Sequence, residues 1–337
     1  MNSCEDYDID SAWDDYCEDG NIYTDQTADI DTADLNNIPK GTDIYISTKT
    51  KIAYLTSIID LYTVFWNIKV NLYHLPKEGV VKKQMKFSFA NEIDVNNMAE
   101  KIVDEKNVDQ HIISRIVNPD GRIKFRDIRK ISIGLSQKDI LCYRSKKKGA
   151  FYNCFVLILR IILNDAYKEI HVKVFNTGKL EIPGIRDDST LIKTLDLLID
   201  IIKSSSNNKT IGYDLSKSET VLINSNFNCG FYINRDRLLD ILKYKYKIDC
   251  IFDPCQYPGI QCKIMHKDDV EYKLSFMIFR TGSILIVGKC TETALISVYN
   301  YIKTILKSEY KEIMINNDKQ IVKPVEKKLK KRIIYVS

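Results

Sequence analysis

FNTGKLEIPG (175–184) returns as FRTGSILIVG (279–288). Phe175 and Phe279 stand 104 residues apart, and Thr177/Thr281, Gly178/Gly282 and Gly184/Gly288 keep that interval. The interval survives into the segments that follow. Leu191/Leu295, Leu195/Tyr299, Leu198/Ile302 and Ile202/Leu306 form one apolar stripe at helical spacing in each copy. Matched glycines with a trailing amphipathic helix mark a tandem duplication, and a repeat decides the fold before any finer reading. Gly178 and Gly282 suit a hairpin turn with positive φ, so they speak for the fold and say nothing about a ligand.

Working outward, Ile44–Leu55 alternates apolar and polar residues as a strand does, and Ile59–Ile68 carries a helical stripe. Residues 69–89 suggest further strands around the Pro76–Gly79 turn. Strands follow at 151–163, 169–175 and 180–182, then a helix from Asp188 to Lys203. After SSSNNK (204–209), linker chemistry, the same order begins again, with a strand at 219–232 and a helix at 234–243. Strands near 248–252, 259–265, 270–279 and 283–287 and a helix at 291–307 complete the second copy. Ile59–Leu61 pairs with Ile233–Arg235 at an interval near 175, so the first copy holds roughly 70 extra residues. The polar, basic stretch 90–149 is where they sit. The expected architecture is α+β: two repeats, each a long antiparallel sheet with two helices on one face. The divisions are an acidic tail at 1–43, a first repeat at 44–205 with the insertion, a second at 210–312, and a basic tail at 313–337.

Charge is distributed unevenly. The whole chain of 337 residues has a formal net charge of +5. Residues 1–43 hold thirteen Asp/Glu and one Lys, so the remainder carries +17. A basic body with an acidic tail points to a polyanion partner that the tail competes with. The tail reads as disordered, too poor in periodic apolar residues to offset chain entropy. No apolar run approaches the roughly 20 residues of a membrane span, and the acidic N-terminus is unlike an export signal. Nine scattered cysteines without a CxxC pair fit free thiols in a reducing, intracellular compartment. Cys250, Cys255, Cys262 and His266 cluster, but at spacings unlike a zinc ribbon or finger, so buried thiols are the better reading and no metal or other cofactor is expected. No P-loop, GxSxG or HExxH occurs and the four histidines stand alone, so neither an enzyme nor a small-molecule substrate is expected.

The repeated Phe-x-Thr-Gly segment resembles the end of each repeat in the TATA-box-binding protein family, where F-x-S-G-K-x-V-x-T-G precedes a long helix. Tyr257-Pro258-Gly259 is similar to that family's second-repeat F-P-G, and Asn224 to Phe231 to its Q-N-x-V-x-S-C segment. The resemblance covers 150–204 and 210–310; 44–89 is only suggestive. The acidic tail, the insertion and the Ile/Asn/Lys-heavy usage look most like the versions encoded by large double-stranded DNA viruses, which implies action in a nucleus or a cytoplasmic viral factory.

The resemblance implies a pseudo-symmetric saddle that sits on a widened minor groove, with helices on its convex face and aromatic wedges that kink the duplex. By position, Phe279 and Tyr257 are the second-repeat wedges and Phe175 the matching first-repeat one. The remaining wedge is Phe155, Tyr152 or Phe151. Asn224 would reach base-edge acceptors, Leu285 and Val287 would form the groove floor, and Lys179, Arg186 and Lys289 would flank it. The implied partners are A/T-rich double-stranded DNA, a B-type (TFIIB-like) initiation factor and RNA polymerase. The first repeat departs from the pattern: Glu181 and Pro183 replace its floor residues, and Thr48 or Thr50 stands where an asparagine belongs. A carboxylate facing phosphates is repelled, so a weaker grip there is expected. The departures leave open a second reading, a protein-interaction scaffold with weak DNA binding. A third is a single-strand binder using aromatics on a basic sheet.

Overall fold

The computed structural model describes residues 38–141, 151–206, 208–267 and 271–315. Most of the acidic tail, the Arg144–Lys148 run and the basic C-terminal tail lie outside the described residues. Two compact units result: residues 48–221 form one, and residues 38–47 with 222–315 the other. We call them the N-terminal and C-terminal units.

The N-terminal unit begins with β1 (Tyr45–Leu55), whose first three residues belong to the other unit. Helix α1 (Leu61–Asn67) starts at Asp60, whose carboxylate accepts from the Tyr62 and Thr63 N–H groups. Where several strands were expected over 69–89, one long strand, β2 (Gly79–Phe89), forms. The residues before it run as turns, held by the Arg160 guanidinium, which donates to the Tyr73 and Leu75 carbonyls. Next come α2 (Glu92–Lys101), β3 (Val108–Val117), β4 (Phe125–Gly134) and α3 (Gln137–Leu141). The repeat then resumes with β5 (Cys154–Leu163), β6 (Ala166–Phe175), β7 (Lys179–Ile185) and α4 (Asp188–Ser205). The strands order as β3-β4-β2-β5-β6-β7-β1.

The C-terminal unit holds β8 (Tyr213–Asn228, its first half counted with the other unit), α5 (Arg235–Asp240, continuing as a π-helical turn to Lys245) and β9 (Asp249–Ile251). Then follow β10 (Ile260–Lys267), β11 (Glu271–Ile278), β12 (Ser283–Gly288), α6 (Glu292–Ser308) and α7 (Tyr310–Ile313). Its order is β8-β12-β11-β10-β9.

The two orders superpose: β1/β8, β7/β12, β6/β11, β5/β10 and β2/β9 are equivalents. The α+β class holds, with open antiparallel sheets whose long helices cover one face, while α3 of the insertion meets the other through the Lys82–Asp139 ion pair. The long helices start alike, 104 residues apart, at Asp187 and Thr291, each accepting from the N–H three residues on. The short helices start at Asp60 and Asn234, the wider interval that the insertion demands. That insertion is structured: β3 and β4 extend the sheet beyond β2, α2 and α3 flank them, and Met98, Ile131 and Ile133 join the core.

Alternation sorts each strand between a helix-covered and an opposite face. In the N-terminal unit Phe155, Leu157, Leu159, Val172, Val174, Leu180 and Ile182 meet the stripe of α4. In the C-terminal unit Phe276, Ile278, Ile284 and Ile286 meet the stripe of α6. Each such fully buried apolar side chain contributes about 1.5–3 kcal/mol.

Candidate nucleic-acid interface

On that other face of the C-terminal unit the register makes two rows. Leu285 lies between Asn226 and Met277, and Val287 between Asn224 and Ser275. Leu285 and Val287 keep only 6% and 7% exposure, so the floor is apolar and tightly flanked. Asn224 is held by its backbone, whose carbonyl accepts from the Ser47 hydroxyl at 3.0 Å. Asn226 was not singled out from the sequence; the period-two spacing of Asn224, Asn226 and Asn228 along β8 was the available signal.

The aromatic pair sits at the end of these strands. Tyr257 and Phe279 are half-buried, their ring centroids 6.0 Å apart and tilted by 58°. A Cβ on Gly259 would press against both rings, so the glycine lets them approach. The Tyr257 hydroxyl donates to Met277 Sδ at 3.4 Å, which gives the extra oxygen a weak partner. Phe279 opens its turn as Phe175 does: the Gly282 N–H donates to the Phe279 carbonyl and the Gly178 N–H to the Phe175 carbonyl, each at 3.0 Å. Gly282 and Gly178 take φ of +80° and +84°.

In the N-terminal unit the expected wedge Phe155 is corrected. It is fully buried on the helix-covered face, 6.3 Å from the Phe65 ring, because it shares the parity of Leu157 and Leu159. The register selects among the alternatives. Phe175 pairs with Cys154. The β10–β11 ladder, carried one step past Ile260↔Ile278, sets Gly259 opposite Phe279. Tyr257 lies two residues before Gly259, and Tyr152 two residues before Cys154, so Tyr152 is the counterpart. Tyr152 is exposed, with Lys86 Nζ 3.3 Å from its ring centroid, and hydrogen bonding from Lys86 draws its phenol below the ordinary value. Phe151 is exposed too and lies under Lys173 Nζ at 4.5 Å.

The floor positions here are Glu181 and Pro183. Glu181 is flanked by Ile52 and Lys173 and forms a 2.7 Å ion pair with the Lys173 ammonium. The carboxylate that the sequence set against the phosphates therefore arrives neutralised by its neighbour. Thr50, buried, and Ile52 occupy the places of Asn224 and Asn226, so this half lacks both amides. Of the flanking cations, Lys179 stands 5.7 Å from the Phe175 ring. Arg186 and Lys289 are exposed, each at the exit of the last strand of its repeat.

Cys250 and Cys262 face each other across β9 and β10 with Sγ atoms 3.0 Å apart, both buried, and burial pushes the Cys262 thiol up. Cys255 is exposed on the following turn.

No protein-family profile matches the chain. It is similar to an Acanthamoeba polyphaga mimivirus protein called TATA-box-binding protein-like, 27% identical over 205 residues, which are 53% of this chain and 55% of that protein. The chain thus spans about half the length of the curated relative it matches. Among solved structures it is similar to Methanococcus jannaschii TBP, with a TM-score of 0.40 and 14% identity over 79% of this chain and 99% of that one.

Proposed function

We propose that this TATA-box-binding-protein-like chain binds A/T-rich duplex DNA in the minor groove, bends it, and presents it to a B-type initiation factor and RNA polymerase. The observation that carries the reading is the Tyr257–Phe279 pair at the end of an apolar floor, echoed by Tyr152 and Phe175 in the other unit. An aromatic face replaces the stacking partner of a base. Such wedging, the mechanism of the family itself, costs about a few kcal/mol per step and is offset by the contacts a bent duplex makes. Leu285 and Val287 leave no space for the guanine amino group that projects into the groove, while Asn224 and Asn226 supply donors for the acceptors of A·T pairs. Binding is the whole activity in this reading, and no catalytic group is required. The buried thiols support action in a reducing compartment, a nucleus or viral factory.

The test is a gel-shift and bending assay on A/T-rich and G/C-rich duplexes. Tighter binding and a bend on the A/T-rich duplex are expected; equal affinity without bending would sink the reading. A second reading, a scaffold for the transcription machinery, draws on the missing amides and Pro183 of the N-terminal unit. Capture of polymerase or initiation factors with no DNA affinity at low salt would favour it.

A further inference from the structure

Leu285 of the C-terminal unit has Asn226 and Met277 at its sides. Glu181, its counterpart 104 residues earlier, has Ile52 and Lys173 instead. Glu181 and Lys173 belong to the face away from the helices, because Leu180, Ile182, Val172 and Val174 alternate with them into the core. Where one unit sets an amide, a leucine and a methionine in a row, the other sets an isoleucine and an ion pair. Lys173 Nζ donates to Glu181 Oε1 at 2.7 Å. The ammonium is also fixed by the Phe151 ring, whose centroid lies 4.5 Å away.

Stability does not call for this pair. Its side chains are only 21% and 13% exposed, and an ion pair so enclosed is often no better than packed apolar residues. The other unit fills the same two places with Met277 and Leu285. What the exchange alters is the chemistry shown to a base pair. An ammonium carries more N–H donors, and a carboxylate more lone pairs, than their mutual bond uses. The pair therefore presents an acceptor beside a donor. The minor-groove edge of an A·T pair offers acceptors alone, adenine N3 and thymine O2; a G·C pair adds the guanine N2 amino group as a donor. A carboxylate is repelled by the first edge and bonds the second.

We propose that Glu181 reads one G·C pair inside the otherwise A/T-rich site. Its carboxylate accepts from the guanine N2 amino group, while Lys173 holds that carboxylate in place and donates to an acceptor on the same edge. This rests on the minor-groove reading and names the base pair that the N-terminal unit selects. The two halves of the site then differ in sequence: Leu285 excludes the amino group that Glu181 binds.

The test places a single G·C pair at each position in turn of an A/T-rich duplex and measures the affinity of the full chain. At one position wild type should bind G·C about tenfold more tightly than inosine·C, which lacks only the amino group. At that position 2,6-diaminopurine·T, an A·T pair with the amino group added, should outbind A·T by a like factor. Both comparisons use the unaltered protein and are free of folding effects. E181L should remove both preferences, and E181Q, which keeps a carbonyl acceptor, should retain part of them. K173M/E181L, which leaves no unpaired ammonium, should reject the amino group at that position as wild type does at the others. Wild type that binds and bends the A/T-rich duplex but gains nothing from the amino group at any position overturns this proposal alone. A gain that survives in K173M/E181L does the same. Wild type that neither binds nor bends the A/T-rich duplex overturns the proposal together with the reading beneath it.

Discussion

Tyr152 and Phe155 stand three residues apart and belong to different worlds. Phe155 is sealed between α1 and the sheet, so Phe155→Ala should cost about 3–5 kcal/mol in chemical denaturation. Tyr152 is exposed, so Tyr152→Ala should leave the denaturation midpoint in place and reduce DNA bending. The reverse pattern would reject the register assignment. Within the wedges, Phe279→Ala should reduce bending more than Phe175→Ala, because only the C-terminal unit pairs its aromatics with Leu285, Val287 and the two amides. Equal losses in a fluorescence-transfer bending assay would count against that asymmetry. Phe175 and Phe279 were legible in the sequence because a local turn fixes them. The choice of Tyr152 over Phe151 and Phe155 was not, since it depends on which residue of β5 meets Phe175, a long-range pairing that no local pattern encodes.

The inserted strands show the same limit one level up. The repeated elements were readable because each carries an apolar stripe of its proper period. β4 was not, because its core-facing side includes Asp127 and Arg129, which break the alternation that marks a half-buried strand. Burial makes that pair a weak source of stability while intact and a large liability when broken. Asp127→Ala leaves the Arg129 guanidinium buried without its carboxylate, and should cost about 3–5 kcal/mol. The double change Asp127→Leu with Arg129→Leu should cost far less, and thermal melts of the three chains decide. A double variant as unstable as the single one would show that the pair holds β3 and β4 through its other contacts, such as Arg129 to Gln110 at 3.1 Å.

At the scale of the molecule, the proposed DNA partner draws on charge and fold by separate routes. The basic excess alone would suit any polyanion; in the proposed reading the paired aromatics and apolar floor are what select a groove. In that reading the acidic segment is expected to act against the body. Its useful boundary is earlier than residue 43, because Thr42 is built into the C-terminal unit. The Thr42 N–H donates to the Asn228 carbonyl at 2.8 Å, its hydroxyl accepts from the Asn228 N–H at 2.8 Å, and the Tyr299 hydroxyl donates to its carbonyl. Deleting residues 1–37 spares those bonds, removes twelve carboxylates and no Lys or Arg, and moves the formal net charge from +5 to +17. The shortened chain should bind an A/T-rich duplex more tightly and associate faster at low salt. The advantage should shrink as the Debye length falls from about 30 Å at 0.01 M to about 8 Å at 0.15 M salt. A chain with residues 1–37 scrambled should behave as the parent does if charge alone competes with DNA, and as the deletion does if the order of residues matters. Equal affinity of the full and shortened chains at low salt would remove the tail from any part in DNA binding.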